Sequence, residues 1–451
     1  MSQWNSLARN WALLCVAAVC LGGCLDASGT PAALAVLGFL EPQISGNTAA
    51  RVGDVLVAGG MGSTGVVPNK TAELFNPATK TFALTGALPS PVAAATAVSF
   101  ATGPLAHRTL VPGGLTGKMT LTAKGFSYVS TTLATAEDYQ DSTGLFRATG
   151  RMVTPRYLYT ATLLQNGKVL VAGGLTGLTP TAKAELYDPA TQKFTATGAM
   201  ATARAMHAAA LLNDGTVLIV GGIADNNGDT VASAEIYNPS TGLFTPTTGN
   251  LPASAGEAGL TATLISGCGC VNDGSVLIAG GFTGGLFAVP SSTNSLSMYS
   301  PTTKTFRALR AMRDERVFHT ATLVSLGRVL ITGGYQGQAL VKKGVVSQLE
   351  GRTLNTAEVF TAKTQVAACV GGQVGAHCKP SMKGSRAGHA AVLVNTGILK
   401  GDVLLTGGID STPTVPAVQN TAEIYSTAAG AFVAVGAMKN KRAFHAAALI
   451  Q

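Results

Sequence analysis

Three short stretches decide the fold because they recur in the same order along the chain: KVLVAGG (residues 168–174), AELYDPATQKF (184–194) and RAMHAAALL (204–212). An apolar strand ending in Gly-Gly occurs seven times, at residues 55–60, 109–114, 169–174, 217–222, 276–281, 329–334 and 403–408. Self-similarity of this kind indicates a repeat architecture in which each unit is one supersecondary element.

Each repeat carries four strand signatures. After Gly-Gly comes a strand such as AELY, AEIY or AEVF, then a turn such as Asp188-Pro189, a strand centred on a Phe, and an Ala/Thr-rich strand. Asn-Gly or Asp-Gly often turns that last strand into the next Gly-Gly strand, which is a hairpin signal. Four short strands repeated seven times predict an all-β, seven-bladed β-propeller that forms one domain over residues 51–451.

The two ends of the chain complement each other. The first repeat lacks an Ala/Thr-rich strand before residues 55–60, whereas the sequence HAAALI at 445–450 is such a strand with no repeat after it. We therefore expect the C-terminal strand to complete the first blade and close the ring, which leaves no sheet edge open.

Composition excludes several classes of protein. The chain has 451 residues, of which 46% are hydrophobic and 12% charged, and this apolar fraction excludes a disordered chain. The 55 glycines follow no triplet period, which excludes collagen. The net charge of +9 is scattered without a run of five basic residues, so we predict no nucleic-acid partner.

The N-terminus predicts export. Residues 11–23 (WALLCVAAVCLGG) are apolar but too short to span a bilayer, as in a secretory signal. The run Leu21-Gly22-Gly23-Cys24 resembles the bacterial lipobox, which implies a signal peptide over 1–23, lipidation of Cys24 and a tether over 24–50. An ordinary signal peptide, cut nearby, is the alternative. The prediction is a lipid-anchored protein of the bacterial envelope, in the outer membrane, the periplasm or at the cell surface, that contacts the membrane through its anchor only.

The remaining cysteines fit an oxidising compartment. Four are left after the signal and the lipidated residue, in the two pairs Cys268 with Cys270 and Cys369 with Cys378. An even, clustered set outside the cytoplasm favours disulfides. A metal site that adds His377 is the alternative, but its spacing is not that of zinc ligands.

The repeat resembles the kelch repeat. Gly-Gly, a Tyr-containing strand ending near Asp-Pro, an aromatic strand and Arg-x-x-His are similar to the bacterial kelch and galactose-oxidase-type propellers over about residues 51–451. The resemblance implies the propeller fold, but such propellers include binding modules, oxidases and sugar-acting enzymes. One departure is that Phe replaces the usual kelch Trp; the two Trp residues, Trp4 and Trp11, lie in the signal.

Four histidines precede Ala/Thr-rich strands: His207, His319, His389 and His445. They occupy one repeat position, which favours a structural role over a metal site. Copper-radical oxidases of this fold carry a Tyr-His pair here, whereas this chain has Phe318-His319 and Phe444-His445. Because Phe cannot supply a phenolate ligand and no Trp remains to shield a radical, we predict no metal and no cofactor.

In five repeats an arginine stands three residues before the histidine or its equivalent. A glutamate stands in the Tyr- or Phe-containing strand of the same predicted blade. We predict ion pairs within single blades, which organise geometry more than they add stability. The pairs are Arg442–Glu73, Arg156–Glu185, Arg204–Glu235, Arg316–Glu358 and Arg386–Glu423. A ring of arginines that binds carboxylated sugars is the alternative.

The segments after Gly-Gly vary most, and variable loops on a rigid framework commonly carry binding sites. Two are long, 115–134 and 335–355, and we expect them to be loops. Their basic and aromatic residues suit a glycan or a protein carboxylate: Lys118, Tyr128, Tyr335, Lys342, Lys343 and Arg352.

The sequence therefore favours a monomeric, noncatalytic module that binds an envelope protein or glycan. The rival hypothesis is a carbohydrate-active enzyme on the same propeller, either a galactose-oxidase-like oxidase or a sugar-acid isomerase or lyase.

Overall fold

The computed structural model describes residues 48–62, 67–122, 125–253, 256–285, 288–342, 345–411 and 417–451. The signal, Cys24, nearly all of the tether and Lys343 lie outside the described residues. Within these ranges the regular structure is antiparallel β, apart from one 3-10 helix over Gly397–Leu399, so the predicted all-β class is confirmed. No helix in the described part of the chain is long and apolar enough to cross a membrane.

The described strands include seven similar four-stranded sheets, numbered here in chain order; the hairpins given with each sheet are inserted in its stretch of chain but pair as separate sheets. Sheet 1 begins with β1 (Val55–Ala58), β2 (Ala72–Asn76) and β3 (Thr81–Leu84). Sheet 2 contains β4 (Val98–Phe100), β5 (Arg108–Pro112), the inserted hairpin β6 (Leu115–Thr122) and β7 (Gly125–Thr132), then β8 (Ala136–Gln140) and β9 (Leu145–Ala148). Sheet 3 contains β10 (Thr160–Leu163), β11 (Val169–Ala172), the hairpin β12 (Leu175–Thr176) and β13 (Thr179–Pro180), then β14 (Ala184–Asp188) and β15 (Lys193–Ala196).

The next two sheets repeat this plan. Sheet 4 contains β16 (Ala208–Leu211), β17 (Val217–Val220), β18 (Ala234–Asn238) and β19 (Leu243–Pro246). Sheet 5 contains β20 (Thr261–Leu264), β21 (Val276–Ala279), the hairpin β22 (Phe282–Gly285) and β23 (Ala288–Ser292), then β24 (Leu296–Ser300) and β25 (Thr305–Ala308).

The last two sheets carry the remaining insertions. Sheet 6 contains β26 (Thr320–Ser325), β27 (Arg328–Thr332), the hairpin β28 (Tyr335–Lys342) and β29 (Val345–Thr353), then β30 (Ala357–Thr361), β31 (Val366–Cys369) and the short pair β32 (Gln373–Val374) and β33 (His377–Cys378). Sheet 7 contains β34 (Ala390–Leu393), β35 (Val403–Thr406), the hairpin β36 (Ile409–Asp410) and β37 (Ala417–Val418), then β38 (Ala422–Ser426) and β39 (Ala431–Ala434).

The final strand, β40 (Ala446–Leu449), pairs with β1, with Ala446 opposite Ala58 and Leu449 opposite Val55. Sheet 1 thus receives its first strand from the C-terminal part of the chain, as the two chain ends predicted. In every sheet the second strand leads into Gly-Gly and the third carries a Tyr or Phe. The first strand is rich in Ala or Thr except in β4, and the fourth carries a Phe except in β31.

The core lies between neighbouring sheets. The second strands are buried at all four central residues, as in Val169–Ala172. On the third and fourth strands, aromatic rings pair across the sheet, and the Tyr187 and Phe194 ring centroids lie 4.8 Å apart. The Tyr187 hydroxyl hydrogen-bonds to Thr149 of sheet 2 at 2.8 Å, which ties adjacent sheets together.

The Gly-Gly pair is required by the approach of the next sheet. Gly173 and Gly174 have φ values of 63° and 93°, which side chains disfavour. A Cβ on Gly173 would lie 2.4 Å from the carbonyl oxygen of Arg204 in sheet 4. The strand can therefore end this close to its neighbour only without a side chain. We call this end of the sheets the Gly-Gly end, and the opposite end, where first strands turn into second strands, the turn end.

Candidate functional site

The five predicted arginine–glutamate pairs are formed, each within one sheet. In sheet 3, Arg156 Nη2 lies 2.6 Å from Glu185 Oε1, and Arg156 Nη1 donates to the Gly173 carbonyl at 2.8 Å. The distances in the other four are 2.7 Å for Arg442–Glu73, 3.0 Å for Arg204–Glu235, 3.1 Å for Arg316–Glu358 and 2.7 Å for Arg386–Glu423. These arginines are fully buried. They therefore hold the framework together and are not presented to a carboxylated sugar.

Each of these glutamates also accepts backbone hydrogen bonds. Glu185 receives the N–H groups of Val153 and Thr154, at 2.6 and 2.9 Å, from the loop that leads to Arg156. Burial lowers the pKa of Arg156, and the neighbouring Glu185 carboxylate opposes that shift. Because Glu185 accepts two backbone hydrogen bonds and pairs with Arg156, it holds the loop at residues 153–156 against the third strand of its sheet.

Sheets 2 and 5 lack the pair. In sheet 2, Val92 replaces the arginine and Glu137 is kept; Glu137 Oε2 has no hydrogen-bond partner among the described residues. Burial raises the pKa of Glu137 to about 7. In sheet 5, Glu257 stands at the arginine position and accepts a hydrogen bond from Thr293 Oγ1 at 3.1 Å, and burial raises its pKa.

The four histidines are buried between sheets and do not line an open channel. His207, His319 and His445 are between 5% and 7% exposed, and burial lowers the pKa of each to about 3. Their Nε2 atoms hydrogen-bond to a threonine of the preceding sheet, for example His207 to Thr160 at 2.9 Å. His389 does the same with Thr320 at 3.0 Å. These neutral imidazoles support the structural interpretation.

Seven residues with a left-handed backbone lie at the Gly-Gly end. They occupy the position just before the first strand's histidine or its equivalent, with φ between 50° and 64°. We call these residues the collar: Ala94, Leu158, Met206, Gly259, Phe318, Gly388 and Phe444. Backbone hydrogen bonds join six pairs of them, including Phe444 N to Gly388 O at 2.7 Å and Ala94 N to Phe444 O at 2.9 Å.

The collar is apolar and packs on a buried cluster formed by the residue after each Gly-Gly. The rings of Phe318 and Phe444 meet edge to face, 5.5 Å apart. A side chain on Gly388 would collide with Phe444 at 2.7 Å. The sequence patterns did not predict the collar. The glycines at two of its seven positions, Gly259 and Gly388, are the residues that could have indicated a left-handed backbone.

The two long segments are β-hairpins and not loops, which corrects that expectation. Lys118 and Tyr128 lie in β6 and β7, and Lys342 is the last residue of β28. Arg352 is exposed on β29 opposite Gln336. The backbone of a variable segment can pair with itself when it is long enough, which composition does not reveal.

Tyr335 is 7% exposed and packs in the apolar cluster beneath the collar, so the structure does not present it for binding. It follows Gly334 directly, and that position turns inward in every repeat. The hairpins of sheets 5 and 6 join into one sheet, in the order β22-β23-β28-β29, through the pairing of Ser291 with Gln338. We call this the joined hairpin sheet.

Both predicted disulfides are present, Cys268–Cys270 and Cys369–Cys378. His377 Nδ1 lies 2.9 Å from Asp314 Oδ1 and not at a metal site with the cysteines. One group of possible metal ligands among the described residues, Asp314, Glu358 and Cys378, has its atoms within 4.8 Å of one another. Cys378 is oxidised and Glu358 is paired with Arg316, so these groups already have partners.

Comparison with known proteins identifies the fold class. A model of the Kelch motif matches residues 156–200, which span the sheet 3 repeat from Arg156 to Met200. No curated protein sequence matches the chain. The fold is that of the kelch and galactose-oxidase-like propellers, as the repeat predicted.

Two solved structures illustrate the likeness. YjhT superimposes with a TM-score of 0.51 and 13% identity, covering 77% of this chain and 98% of its own. A fungal alcohol oxidase of the AA5 family, solved in complex with copper, superimposes with a TM-score of 0.53 and 16% identity, covering 78% of this chain and 67% of its own. At these identities the likeness concerns the fold alone.

The residues of this chain do not fit the copper of such an oxidase. Phe318 and Phe444 precede the histidines where the resemblance requires a tyrosine ligand, and they sit in the apolar collar. The Nε2 atoms of His319 and His445 are hydrogen-bonded to Thr261 and Thr406, at 3.1 and 2.8 Å. The donor set therefore lacks a phenolate, and both Nε2 atoms already have a hydrogen-bond partner. We derive no step through copper.

Proposed function

We propose that the chain is a closed, seven-bladed propeller that acts as a noncatalytic binding module for a protein or glycan at the bacterial envelope, exported and held by a lipid on Cys24. Closure is supported by the pairing of β40 with β1. It is also supported by contacts between successive first strands, which run from β40 through β4, β10, β16, β20, β26 and β34 back to β40.

The observation that carries the binding role is the joined hairpin sheet at the Gly-Gly end. It extends beyond the repeated four-stranded plan, and Gly337 N donates to Ser292 Oγ at 2.9 Å where its two hairpins meet. Ser292 Oγ in turn donates to Glu315 Oε2 at 3.1 Å. An insertion held rigid by the framework presents a fixed surface, which reduces the ordering cost of binding. The described exposed cation on this sheet is Arg352.

Binding is tested with a glycan array and an envelope pull-down, using the wild-type chain and the variant Lys342→Ala/Lys343→Ala/Arg352→Ala. We expect the variant to bind the captured partner roughly tenfold more weakly, an effect of about 1.4 kcal/mol. The matched control, Arg147→Ala/Arg151→Ala/Lys193→Ala, removes three exposed cations from sheets 2 and 3 and should bind normally. Equal weakening by both variants would assign the effect to net charge and refute a site on the hairpins.

Anchoring is tested separately by fractionation. Cys24→Ser should move the protein from membranes to the soluble fraction, because the thiol is the predicted acceptor of the lipid. A protein that stays in the membrane fraction after this change would refute the anchor and leave the binding test unaffected.

The enzymatic alternative rests on the likeness to the fungal alcohol oxidase. Metal analysis and a peroxidase-coupled assay on primary alcohols and sugars distinguish it. We expect no stoichiometric copper and no peroxide, given the apolar collar. One copper per chain together with turnover would overturn the noncatalytic proposal.

A further inference from the structure

The turn end divides into two unlike halves. In sheets 5, 6, 7 and 1, a large aliphatic side chain projects from the turn that precedes the second strand. These residues are Val271, Leu326, Ile398 and Val52, which are 91%, 74%, 71% and 62% exposed. In sheets 3 and 4 the corresponding turns carry Asn166-Gly167 and Asp214-Gly215 without an exposed aliphatic residue, whereas in sheet 5 the exposed Asp273 and then Gly274 follow Val271. Scattered exposed aliphatics need no explanation, but four in the corresponding turns of consecutive sheets form an arc.

Contacts between neighbouring turns link parts of this arc. Asn272, next to Val271, donates through Nδ2 to Ala362 O of sheet 6 at 2.8 Å. Ala362 N donates to Gly327 O, in the turn that carries Leu326, at 2.8 Å. Sheets 7 and 1 meet similarly, because a Cβ on Gly53 would lie 1.9 Å from Thr396 Oγ1. The disulfide Cys268–Cys270 restrains the turn at Val271.

Positive charge accompanies the arc. Each of its four sheets has an exposed lysine in a turn at this end: Lys80, Lys304, Lys363 and Lys400. None of the four appears in an ion pair within the described residues. In the other half, Arg108 pairs with Asp138 and Lys168 pairs with Asp188, while the exposed Lys193 of sheet 3 appears in no ion pair among the described residues.

The N-terminal chain enters the fold at this same end. Thr48 O accepts a hydrogen bond from Thr85 Oγ1 at 2.7 Å, and Ala50 N donates to Asp141 O at 2.8 Å. The 24 residue steps from Cys24 to Thr48 can span at most about 85 Å. An anchor on Cys24, as in the proposed function, would therefore keep a bilayer within that reach of Val52.

From this arrangement we infer that the turn end of sheets 5, 6, 7 and 1 is a membrane-contact surface for an anionic bilayer. The four aliphatic tips enter the boundary between headgroups and acyl chains, and the four lysines attract the phosphates. The surface acts without the anchor, and in its presence directs the Gly-Gly end and its hairpins away from the membrane.

Vesicle co-sedimentation tests the inference on the full chain carrying Cys24→Ser, with phosphatidylcholine vesicles with and without phosphatidylglycerol. Val52→Ser/Val271→Ser/Leu326→Ser/Ile398→Ser should weaken binding to the anionic vesicles roughly tenfold or more. The matched control replaces exposed aliphatics outside this surface, Val153→Ser/Leu243→Ser/Val374→Ser/Val433→Ser, and should change binding less than about twofold. All variants carry the same N-terminal segment, so any vesicle binding by that segment contributes equally to each of them.

A second arm addresses charge. Lys80→Gln/Lys304→Gln/Lys363→Gln/Lys400→Gln should weaken binding to phosphatidylglycerol vesicles and leave binding to phosphatidylcholine unchanged. If the lysine variant loses binding while the aliphatic variant does not, the surface binds soluble polyanions and the inference is wrong. It is also wrong if the control weakens binding as much as the tip variant, or if wild type binds no vesicle. Unchanged melting temperatures establish that the variants remain folded.

Discussion

Sheets 2 and 3 are neighbours with the same repeat, yet the hydrogen-bond and charge partners of their equivalent buried glutamates differ. Glu185 of sheet 3 is held by Arg156 and two backbone N–H groups. Glu137 of sheet 2 is equally buried, but Val92 cannot donate, and burial raises the pKa of this glutamate to about 7. The ion pair is therefore not required for a four-stranded sheet of this kind, since sheet 2 forms without it.

The loop before the first strand changes together with the arginine. Pro89 of sheet 2 stands where sheet 3 has Val153, whose N–H donates to Glu185. Proline has no N–H, so the substitution removes a backbone donor as well as a charge. Sheet 2 has therefore lost the arginine and one of the two backbone donors while keeping the carboxylate.

The largest effect should come from breaking the pair in sheet 3. Arg156→Met leaves Glu185 buried without its cation, and we expect the free energy of unfolding to fall by about 3–5 kcal/mol. Chemical denaturation followed by circular dichroism measures this. The double variant Arg156→Met/Glu185→Leu should recover most of the loss, because no unpaired charge remains. A double variant as unstable as the single one would show that packing, and not charge, dominates at this position.

A smaller and pH-dependent effect is expected for Glu137→Gln in sheet 2. The pKa of Glu137 is raised in the fold from 4.5 to about 7, so its neutral form stabilises the fold at low pH. That contribution is lost as the pH rises from 4.5 through 7, because the unfolded chain ionises first. Glutamine should therefore leave stability unchanged at pH 4 and raise it by about 3 kcal/mol at pH 8.

Denaturation curves of wild type and Glu137→Gln across this pH range check the prediction. The matched control is Glu185→Gln in sheet 3, which should lower stability at pH 8 because it removes the partner of Arg156. Destabilisation by both variants at pH 8 would mean that Glu137 has a cation partner.

The smallest effect concerns the link between the two sheets. The hydroxyl of Tyr159, which precedes the first strand of sheet 3, donates to Pro112 O in sheet 2 and accepts from Thr96 N at 3.3 Å. Tyr159→Phe should lower the free energy of unfolding by about 1–2 kcal/mol, because the buried acceptor loses its donor. The denaturation midpoint measures the change. An unaltered midpoint would show that water or a shifted backbone replaces the hydroxyl.

The repeat pattern predicted the strands, the order of strands within each sheet and all five arginine–glutamate pairs, because period and residue type are both visible in the sequence. It also predicted that β40 would join sheet 1. The hairpin at Leu115–Thr132 and the burial of Tyr335 were not predicted. The first lacks a hairpin turn motif, and the second follows from a repeat position that turns inward whatever residue it carries.

The collar was not predicted for another reason. A left-handed backbone at Phe318 or Phe444 costs energy that only the surrounding contacts offset, and apart from Gly259 and Gly388 the residue types at these positions give no sign of it. Positions set by tertiary contacts escape sequence reasoning in this chain, whereas positions set by strand period or by paired charge do not.

Because β40 pairs with β1, sheet 1 cannot be completed during biosynthesis until β40 has been synthesised. Arg442 and Glu73, which bracket this pairing, are separated by 369 residues in the chain. At typical synthesis rates, sheet 1 waits roughly 20 to 70 seconds for its first strand. Throughout that interval the apolar edge of β1 is open, and open edges template pairing with other chains. Until β40 has been synthesised, this edge is therefore open to pairing with other chains.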